Sequence, residues 1–262
     1  MLTLVGVLGH PVGHSRSPAI HNAAFTAVGL DWRYVKLPVE PELFAETVRA
    51  LPESGYRGAN ATIPHKEAAL AVADEASDAA RAIGAANTLT FEDGRIHADN
   101  TDATGLLAAL PEDPRGMAAL VLGAGGAGRA AAWALREAGA EVSLWNRTPE
   151  RAAALAGELG VAHVVAPVAA DLVVNATSVG LDSGDGIEEL PLARVDPPRV
   201  AVELVYGAHE TPFQAWGEAG GATVVDGLEV LVRQGALAFE RWTGAEAPLD
   251  VMRRAARASS RT

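Results

Sequence analysis

Residues 118–148, AALVLGAGGAGRAAAWALREAGAEVSLWNRT, decide the fold of this chain. An apolar run that predicts a strand leads into Gly123, Gly125 and Gly128, which are spaced G-x-G-x-x-G and open an alanine-rich helix before a second strand. In that context the first glycine permits a tight turn, the second lets a pyrophosphate approach the backbone, and the third lets helix and strand pack closely. The stretch predicts a Rossmann-like dinucleotide-binding unit. A glycine-rich turn that holds no ligand is the alternative.

The end of the second strand indicates which dinucleotide is bound. NAD-binding units place an acidic residue about 20 residues on, where it holds the ribose 2′-hydroxyl. Here Asn146, Arg147 and Thr148 stand at that place. An arginine pairs with a 2′-phosphate through its planar fork, and the polar neighbours add hydrogen bonds. The residues favour NADP, with Arg151 in reach of the same phosphate if a helix begins at Pro149. A simply solvated Arg147 is the alternative.

The rest of the chain alternates apolar runs with helical stretches. Before the turn-rich PEDPRG at 111–116, strands are predicted at 2–9, 32–39 and 56–63, and helices at 17–29, at 41–55 and from residue 64. Further strands are predicted at 171–178 and 199–206, a helix from Gly227 to about Trp242, and a last helix with a frayed tail from Leu249. This alternation predicts an α/β protein with a mostly parallel sheet in its first part. The predicted NADP-binding domain is 102–234, and the predicted substrate-binding and catalytic domain is 1–101 plus 235–262.

Composition excludes several classes of function. The chain has 262 residues, 49% of them apolar and 21% charged, which is typical of a globular protein. Its net charge of −12 repels nucleic-acid phosphates, and no basic run offsets that charge, so no nucleic-acid partner is expected. No apolar run reaches the ~18 residues of a membrane helix, and the first residues predict a strand, not a signal peptide. The chain has no cysteine, which suits a cytoplasmic location.

Lys66, in ANATIPHKE at 59–67, is the candidate for proton transfer. Lys36 and Lys66 are the only lysines among the 21 basic residues. A guanidinium cannot give up its proton in a protein, whereas a lysine amine can. The first turn of a predicted helix is an unfavourable place for a cation, which suits acid–base work better than stability. When hydride leaves an alcohol carbon the hydroxyl proton must leave too, so a nicotinamide cofactor requires such a group. A solvated lysine is the alternative.

Other polar candidates stand where strands are predicted to end. Ser17 before a proline is typical of an N-cap, but Ser15 and Ser17 together would also form a cradle for a carboxylate at a helix N-terminus. Thr62 repeats this arrangement after the third predicted strand. Asp102 is typical of an N-cap as well. It becomes a catalytic candidate only if it meets Lys66.

No metal site is expected. His10 and His14 are four residues apart, but Pro11 and Gly13 between them preclude a regular helix. The chain has no H-E-x-x-H motif and no G-x-S-x-G motif, so neither a zinc protease nor a serine hydrolase is indicated. Each histidine is expected to be structural or solvated.

Eight segments in a fixed order resemble those of shikimate dehydrogenases. They are GHSRSP at 13–18, NATIPHK at 60–66, GAANT at 84–88, DNTDATG at 99–105, GAGGAG at 123–128, NRT at 146–148, NATSVG at 175–180 and DGLEVLVRQGALAFERWTG at 226–244. The resemblance runs from about residue 9 to residue 244, nearly the whole chain. PHK, DNTD and NRT are specific to the resemblance, whereas the glycine turn is not.

The resemblance implies an activity and an architecture. The activity is the reversible NADPH-dependent reduction of 3-dehydroshikimate to shikimate, a step towards chorismate and the aromatic amino acids. The architecture is two α/β domains, a substrate domain and a Rossmann-like NADP-binding domain, with the active site in the cleft between them. The substrate is a small molecule, and both a monomer and a homodimer remain open.

The resemblance also implies the role of individual residues. The catalytic pair is Lys66 with Asp102. Residues expected to bind the substrate carboxylate are Ser15 and Ser17, and those expected to hold ring hydroxyls are Thr62, Asn87, Asp102, Tyr206 and Gln234. Residues expected to bind the cofactor are Gly123, Ala124, Gly125, Gly126 and Ala127 at the pyrophosphate, Asn146, Arg147, Thr148 and Arg151 at the 2′-phosphate, and Leu204 and Gly227 at the nicotinamide end.

Two residues depart from the family pattern. Ala61 stands where valine is usual, and Glu203 stands where aspartate is common near the nicotinamide strand. Neither change removes a functional group that the mechanism needs. Two alternatives remain at this point: a quinate/shikimate dehydrogenase of broader specificity, and a non-catalytic NADP-binding redox sensor. The first is disfavoured in its NAD-dependent form by NRT, and the second needs neither Lys66 nor Asp102.

Overall fold

The computed structural model describes residues 2–181, 186–192, 195–207 and 209–258. The chain divides into two compact units, Met1–Gly105 with Leu231–Thr262 and Leu106–Val230. Each unit is built around one six-stranded sheet. The frayed tail predicted at the end of the last helix falls on residues 259–262, which lie outside the described residues. Within the described chain, no helix combines the length and the apolar character that crossing a bilayer requires.

The strands and helices follow one another in α/β fashion. The strands are β1 Thr3–Gly9, β2 Trp32–Pro38, β3 Tyr56–Ala61, β4 Glu75–Ala76, β5 Thr88–Glu92, β6 Arg95–Asp99, β7 Ala118–Leu122, β8 Glu141–Trp145, β9 Ala162–His163, β10 Leu172–Asn175, β11 Val200–Glu203 and β12 Thr223–Val225. The helices are α1 Ser17–Ala27, α2 Phe44–Ala50, α3 Lys66–Val72, α4 Asp78–Ile83, α5 Thr101–Ala109, α6 Gly126–Glu137, α7 Pro149–Leu159, α8 Pro212–Ala219, α9 Gly227–Thr243 and α10 Leu249–Ala258. Short 3₁₀ turns cover Pro41–Leu43 and Ile187–Glu189.

The sheet of the first unit is mixed. Its strand order is β2-β1-β3-β5-β6-β4. The pairs β1–β2, β1–β3 and β4–β6 are parallel, whereas β3–β5 and β5–β6 are antiparallel. The hairpin of β5 and β6 was not predicted. Its turn needs left-handed backbone, which Asp93 at φ 50° and Gly94 at φ 72° supply.

Two predicted helices start or extend differently from the expectation. The stretch expected to be one helix over 41–55 is a 3₁₀ turn, Pro41–Leu43, followed by the short α2. The helix expected from residue 64 begins two residues later, at Lys66. The first three strands, β10, β11 and the long helix α9 agree with the predictions.

The sheet of the second unit is entirely parallel, in the order β12-β11-β10-β7-β8-β9. The chain order reverses between β7 and β10, which makes the carboxyl ends of these two strands the switch point where Rossmann-type units bind dinucleotides. Leu120, Val121, Leu122 and Val173 are fully buried. A parallel sheet covered on both faces explains why its central strands are continuously apolar.

An aromatic cluster packs α1, β2 and α9 together in the first unit. His21 is buried and stacks on Tyr34, with ring centroids 4.4 Å apart and planes 11° apart. Trp242 lies 5.5 Å from His21 and donates its indole N–H to the Leu89 carbonyl at 3.0 Å. Among the described residues, neither ring nitrogen of His21 has a hydrogen-bond partner, and burial lowers its pKa to about 3. His21 therefore serves as a neutral ring of the core.

Candidate active site

Lys66 and Asp102 form a direct pair in the first unit. The Lys66 Nζ donates to the Asp102 Oδ2 at 2.6 Å. Their side chains are only 14% and 21% exposed. Lys66 is thus not a freely solvated lysine, and Asp102 meets the condition that makes it a catalytic candidate.

The backbone holds both members of the pair in place. Lys66 is the first residue of α3, and its carbonyl accepts the Ala86 N–H at 2.8 Å. Asp102 was expected to cap a helix, but this was wrong, because α5 begins at Thr101 and the Asn100 Oδ1 accepts the Ala103 N–H at 3.2 Å. With Asn100 as the cap, the Asp102 carboxylate is free to face Lys66.

Asn87 organises the groups around Asp102. Its Nδ2 donates to the Asp102 Oδ1 at 2.9 Å, to the Thr101 Oγ1 at 3.0 Å and to the Gln234 Oε1 at 3.2 Å. Its Oδ1 accepts the Thr101 N–H at 2.7 Å. Gly105 lets α9 approach α5, since an added Cβ would lie 2.7 Å from the Gln234 Cβ. The structure therefore brings three predicted substrate groups together: Asn87, Asp102 and Gln234.

Ser15 and Ser17 lie together at the start of α1, and both are buried. Ser17 was expected to be the N-cap, but this was wrong: Arg16 occupies that position with helical dihedrals (φ −93°, ψ −5°), so Ser17 is the first helical residue. The Ser15 Oγ accepts the Ser17 N–H at 3.3 Å. A hydroxyl pair at a helix start remains, which suits an anion.

The turn after β3 presents Thr62. Its N–H donates to the Leu8 carbonyl at 2.9 Å, and its carbonyl accepts the His65 N–H at 2.7 Å. His65 stacks on Phe44 at 4.5 Å and shares a hydrogen bond with the Val39 carbonyl at 2.8 Å. Burial lowers the pKa of His65. His65 therefore has a structural role, which anchors the turn that carries Thr62 and leads into α3.

No metal centre is indicated in the part of the chain that the structure describes. Among those residues, no three histidine, aspartate or glutamate side chains are grouped to hold an ion. His10 is half exposed and lies 3.4 Å from Glu40.

The glycine turn of the second unit meets the conformational demands of the fingerprint. Gly123 has φ +109°, and an added Cβ would lie 2.7 Å from the Ala176 carbonyl oxygen. A Cβ on Gly128 would overlap the Gly123 carbonyl oxygen, whereas one on Gly125 would meet no atom of the described residues within 4 Å. The first and third glycines are therefore needed by the fold, and the second leaves open space beside the start of α6.

The NRT segment follows β8 and lies next to that turn. The Asn146 Oδ1 accepts the Ala124 N–H at 3.2 Å, and its Nδ2 donates to the Thr148 carbonyl at 3.0 Å. Arg147 is 85% exposed, and one carboxylate partner, Glu189, lies 3.8 Å from it. Helix α7 begins at Pro149, so Arg151 lies in its first turn. This is the condition under which Arg151 was expected to reach the same phosphate as Arg147. Asn146 shapes the turn, and the arginines face outward.

The remaining cofactor candidates lie at the carboxyl edge of the same sheet. Leu204 directly follows β11, and its N–H donates to the Asn175 carbonyl at 3.1 Å. Gly227 starts α9, and a Cβ there would overlap the Val205 carbonyl oxygen. Tyr206, two residues beyond Leu204, is partly buried in this unit.

Sequence reasoning missed one functional candidate, Glu203. The sequence marked it only as a departure from aspartate, yet its carboxylate is fully buried and hydrogen-bonded at the end of β11. The available signal was an acidic residue inside the apolar run VAVELVY at 200–206.

Two sets of residues define the class of protein. The second unit has a Rossmann-type sheet, an open glycine turn and an arginine after its second strand. The first unit has a lysine–carboxylate pair with a hydrogen-bonded amide beside it. Together they define a dinucleotide-dependent oxidoreductase.

Comparison with known proteins gives the family. The chain is 46% identical over 256 residues to "Shikimate dehydrogenase (NADP(+))" of Acidiphilium cryptum, covering 94% of this chain and 92% of that protein. It is 45% identical, over an alignment of 274 positions, to the enzyme of the same name from Moorella thermoacetica; the alignment covers 97% of this chain and 92% of that protein. The chain belongs to the shikimate dehydrogenase family, which confirms the resemblance seen in the sequence.

Domain models and a solved structure agree. Residues 7–89 match the shikimate dehydrogenase substrate binding domain, residues 108–178 match shikimate / quinate 5-dehydrogenase, and residues 227–257 match the shikimate 5′-dehydrogenase C-terminal domain. The shikimate 5-dehydrogenase of Thermus thermophilus, solved in complex with NADP(H) and shikimate, superimposes with a TM-score of 0.86 at 44% identity, covering 98% of this chain and 99% of that chain. The predicted two-domain α/β fold with a Rossmann-like unit is confirmed.

Proposed function

We propose that this protein catalyses the reversible NADPH-dependent reduction of 3-dehydroshikimate to shikimate, a step towards chorismate and the aromatic amino acids. The observation that carries the proposal is the Lys66–Asp102 pair, whose atoms are 2.6 Å apart in a partly buried setting. A redox sensor would need nucleotide binding but no such pair. Family membership supports the same activity, since relatives about 45% identical are named for it.

The substrate groups follow from the resemblance and from the polar side chains of the first unit. Ser15 and Ser17 present two buried hydroxyls at the start of α1, which suits the substrate carboxylate. We assign the ring hydroxyls to Thr62, Asn87, Asp102, Gln234 and Tyr206. Amide and hydroxyl side chains both donate and accept hydrogen bonds, so they match hydroxyls on a ring.

The proton step belongs to Lys66 and Asp102. In the oxidation direction, hydride leaves the alcohol carbon and the hydroxyl proton passes to the pair; in reduction the pair returns it. Asp102 is held by two partners, with Oδ2 on Lys66 and Oδ1 on Asn87, so its carboxylate is oriented before substrate arrives. An oriented pair acts without reorganisation at the moment of reaction. The proton is best described as belonging to the pair and not to either residue.

The second unit fits NADP. The open space beside Gly125 and the N–H groups at the start of α6 suit a pyrophosphate, which we assign to Gly123, Ala124, Gly125, Gly126 and Ala127. The 2′-phosphate is assigned to Asn146, Arg147, Thr148 and Arg151, and the nicotinamide end to Leu204 and Gly227. When bound, the nicotinamide supplies or accepts the hydride.

Domain roles and location complete the proposal. We assign substrate binding to residues 1–101 plus 235–262 and NADP binding to 102–234. A chain without cysteine suits the reducing cytoplasm. The active form is a monomer or a homodimer, which sedimentation of the purified protein distinguishes.

The test is steady-state oxidation followed by the absorbance of the reduced cofactor. We expect kcat/KM with shikimate and NADP⁺ to exceed the value with quinate by about 100-fold, the discrimination that a pocket reaches against an analogue with an added hydroxyl. NAD⁺ should also be a poorer cofactor, because it lacks the phosphate that an arginine pairs with. Comparable rates with quinate would identify the broader enzyme. Absence of NADP⁺ reduction at neutral and alkaline pH would refute the proposed function.

A further inference from the structure

Glu203 is a buried acid that the proposed chemistry does not use. It is the last residue of β11 and is 0% exposed. Its carboxylate accepts hydrogen bonds from the Thr211 Oγ1 at 2.6 Å, from the Val205 N–H at 2.8 Å, and from the Asn175 Nδ2 at 3.0 and 3.1 Å to the two oxygens. All three of these partners are uncharged. A carboxylate buried this deeply needs such donors, so each of them is held firmly.

These donors belong to three segments that leave the carboxyl edge of the sheet. Asn175 ends β10, and its Nδ2 also donates to the Val179 carbonyl at 3.2 Å. Val205 lies just beyond β11, and Thr211 caps α8. The loops at this edge bind ligands in Rossmann-type units. Glu203 therefore connects, through hydrogen bonds, three segments at the carboxyl edge of this sheet.

The backbone next to Glu203 is confined from two further sides. The Leu204 N–H donates to the Asn175 carbonyl at 3.1 Å. One residue further on, Gly227 packs against the Val205 carbonyl so closely that a Cβ added to Gly227 would overlap the carbonyl oxygen. Any shift of Val205 therefore moves Leu204 and Tyr206 together.

We propose that Glu203 is a positioning residue for hydride transfer: its carboxylate fixes residues 204–206 in the geometry that the nicotinamide and the substrate require. The inference rests on the proposed function, because that function assigns Leu204 to the nicotinamide end and Tyr206 to a ring hydroxyl. Glu203 acts through these neighbours and does not touch the reacting atoms.

The charge state of Glu203 makes the arrangement sensitive to pH. Burial raises its pKa to about 7, and the hydrogen bonds from Thr211, Val205 and Asn175 offset only part of that shift. Above pH 7 the carboxylate accepts from every donor, whereas below it one oxygen carries a proton and loses an acceptor site. Ionisable side chains on the surrounding segments are Tyr206, His209, Glu210, Glu218, Asp226 and Glu229.

The first experiment replaces the carboxylate by an amide of the same shape. Glu203→Gln imitates the protonated acid at every pH, since its NH₂ cannot accept a hydrogen bond. We expect kcat for shikimate oxidation at pH 9 to fall about tenfold while the Kd for NADP⁺ stays within twofold, because the phosphates supply most of the binding. We also expect a larger primary isotope effect with shikimate deuterated at the reacting carbon, because hydride transfer becomes more rate-limiting.

The pH profile separates positioning from mere stability. The wild-type kcat should show an inflection near the pKa of about 7, and the inflection should be absent in Glu203→Gln. Glu203→Asp, which keeps the charge but shortens the side chain, should keep the inflection with a reduced plateau. A folded Glu203→Gln protein with wild-type kcat, isotope effect and pH profile overturns the proposal.

Two matched variants of Thr211 test the hydrogen bonding of Glu203 without changing the glutamate itself. Thr211→Val removes the hydroxyl donor to Glu203 and Thr211→Ser keeps it, so only the valine variant should lower kcat. This comparison tests the proposal even if the Glu203→Gln protein does not fold. Equal kcat in the two variants also overturns the proposal. Wild-type protein that fails to oxidise shikimate with NADP⁺ refutes the proposed function and this inference together, whereas an active wild type with unaffected variants refutes this inference alone.

Discussion

The polar centre of the first unit and the glycine turn of the second are built in opposite ways. Each oxygen of the Asp102 carboxylate already has a partner, Lys66 on one side and Asn87 on the other. At the glycine turn the space beside Gly125 is open, and Arg147 is 85% exposed. A group that moves a proton must be oriented before the reaction, whereas phosphates need only accessible donors and room. The first region is completed by the protein and the second by its ligand.

The strongest test of this contrast removes the amine of the first region. Lys66→Ala should lower kcat about 10³-fold, within the range that general acid–base groups contribute, with a smaller change in the KM for shikimate. Steady-state kinetics with shikimate and NADP⁺ measure both. Lys36→Ala is the matched control, since Lys36 is the other lysine of the chain and is exposed. Normal turnover in Lys66→Ala would remove Lys66 from the proton step.

The second test separates the two kinds of glycine at the turn. Gly128→Ala should lose about 3 kcal/mol of unfolding free energy, because its Cβ would overlap the Gly123 carbonyl oxygen and the backbone must shift. Gly125→Ala should keep the wild-type Tm, since its Cβ meets no atom within 4 Å, but should weaken NADP⁺ binding. Thermal unfolding and cofactor titration check the pair. A lower Tm in both variants would mean that the space beside Gly125 is not free to accept a ligand.

The third test concerns protonation of His21, the buried histidine in the aromatic cluster of the first unit. His21 has its pKa lowered from 6.5 to about 3 by burial, so between those values the unfolded chain binds a proton that the folded chain does not. Stability therefore falls as pH drops below 6.5, by about 1.4 kcal/mol per unit, or about 2 kcal/mol at pH 5. Denaturant titrations of wild type and His21→Phe measure it. Since neither ring nitrogen is hydrogen-bonded, the phenylalanine variant should fold and lack this component of the pH dependence.

The smallest expected effect concerns the exposed arginine of the second region. Arg147→Ala should raise the Kd for NADP⁺ about tenfold, or about 1.4 kcal/mol, and change the Kd for NAD⁺ less than twofold. Glu189→Gln, which removes a carboxylate 3.8 Å away, should not weaken NADP⁺ binding. Isothermal titration compares the three proteins. Equal weakening of both dinucleotides by Arg147→Ala would contradict the 2′-phosphate assignment.

Sequence patterns predicted the parts of the fold that rest on local chemistry. The glycine spacing, the apolar strands and the long helix α9 follow from period, breaker residues and burial. The β5–β6 hairpin was missed, although Asp93 and Gly94 make a recognisable turn, because its strands, TLTFE and RIHAD, mix polar and charged residues with apolar ones and lack a continuous apolar run like that of β7. The helix caps were misplaced by one or two residues, since Asn100 and Asp102 are both good capping residues and only the folded turn selects between them.

The candidate site divides in the same manner. Lys66, Asn146 and Arg147 stand in short motifs whose chemistry is visible in one segment. Two partners of Glu203 come from positions 28 residues before it and 8 residues after it, and those contacts exist only after the sheet forms. Sequence alone cannot rank a buried acid without knowing which donors surround it.

The exposure of the two lysines has a practical consequence for surface chemistry. Lys36 is exposed and donates to the Gly13 carbonyl, whereas Lys66 is only 14% exposed and is held by Asp102. An amine-selective ester should therefore react with the Lys36 side chain well before it reaches Lys66. A dye or a solid support can therefore be attached through the Lys36 side chain, which allows oriented immobilisation while the Lys66 amine stays unmodified.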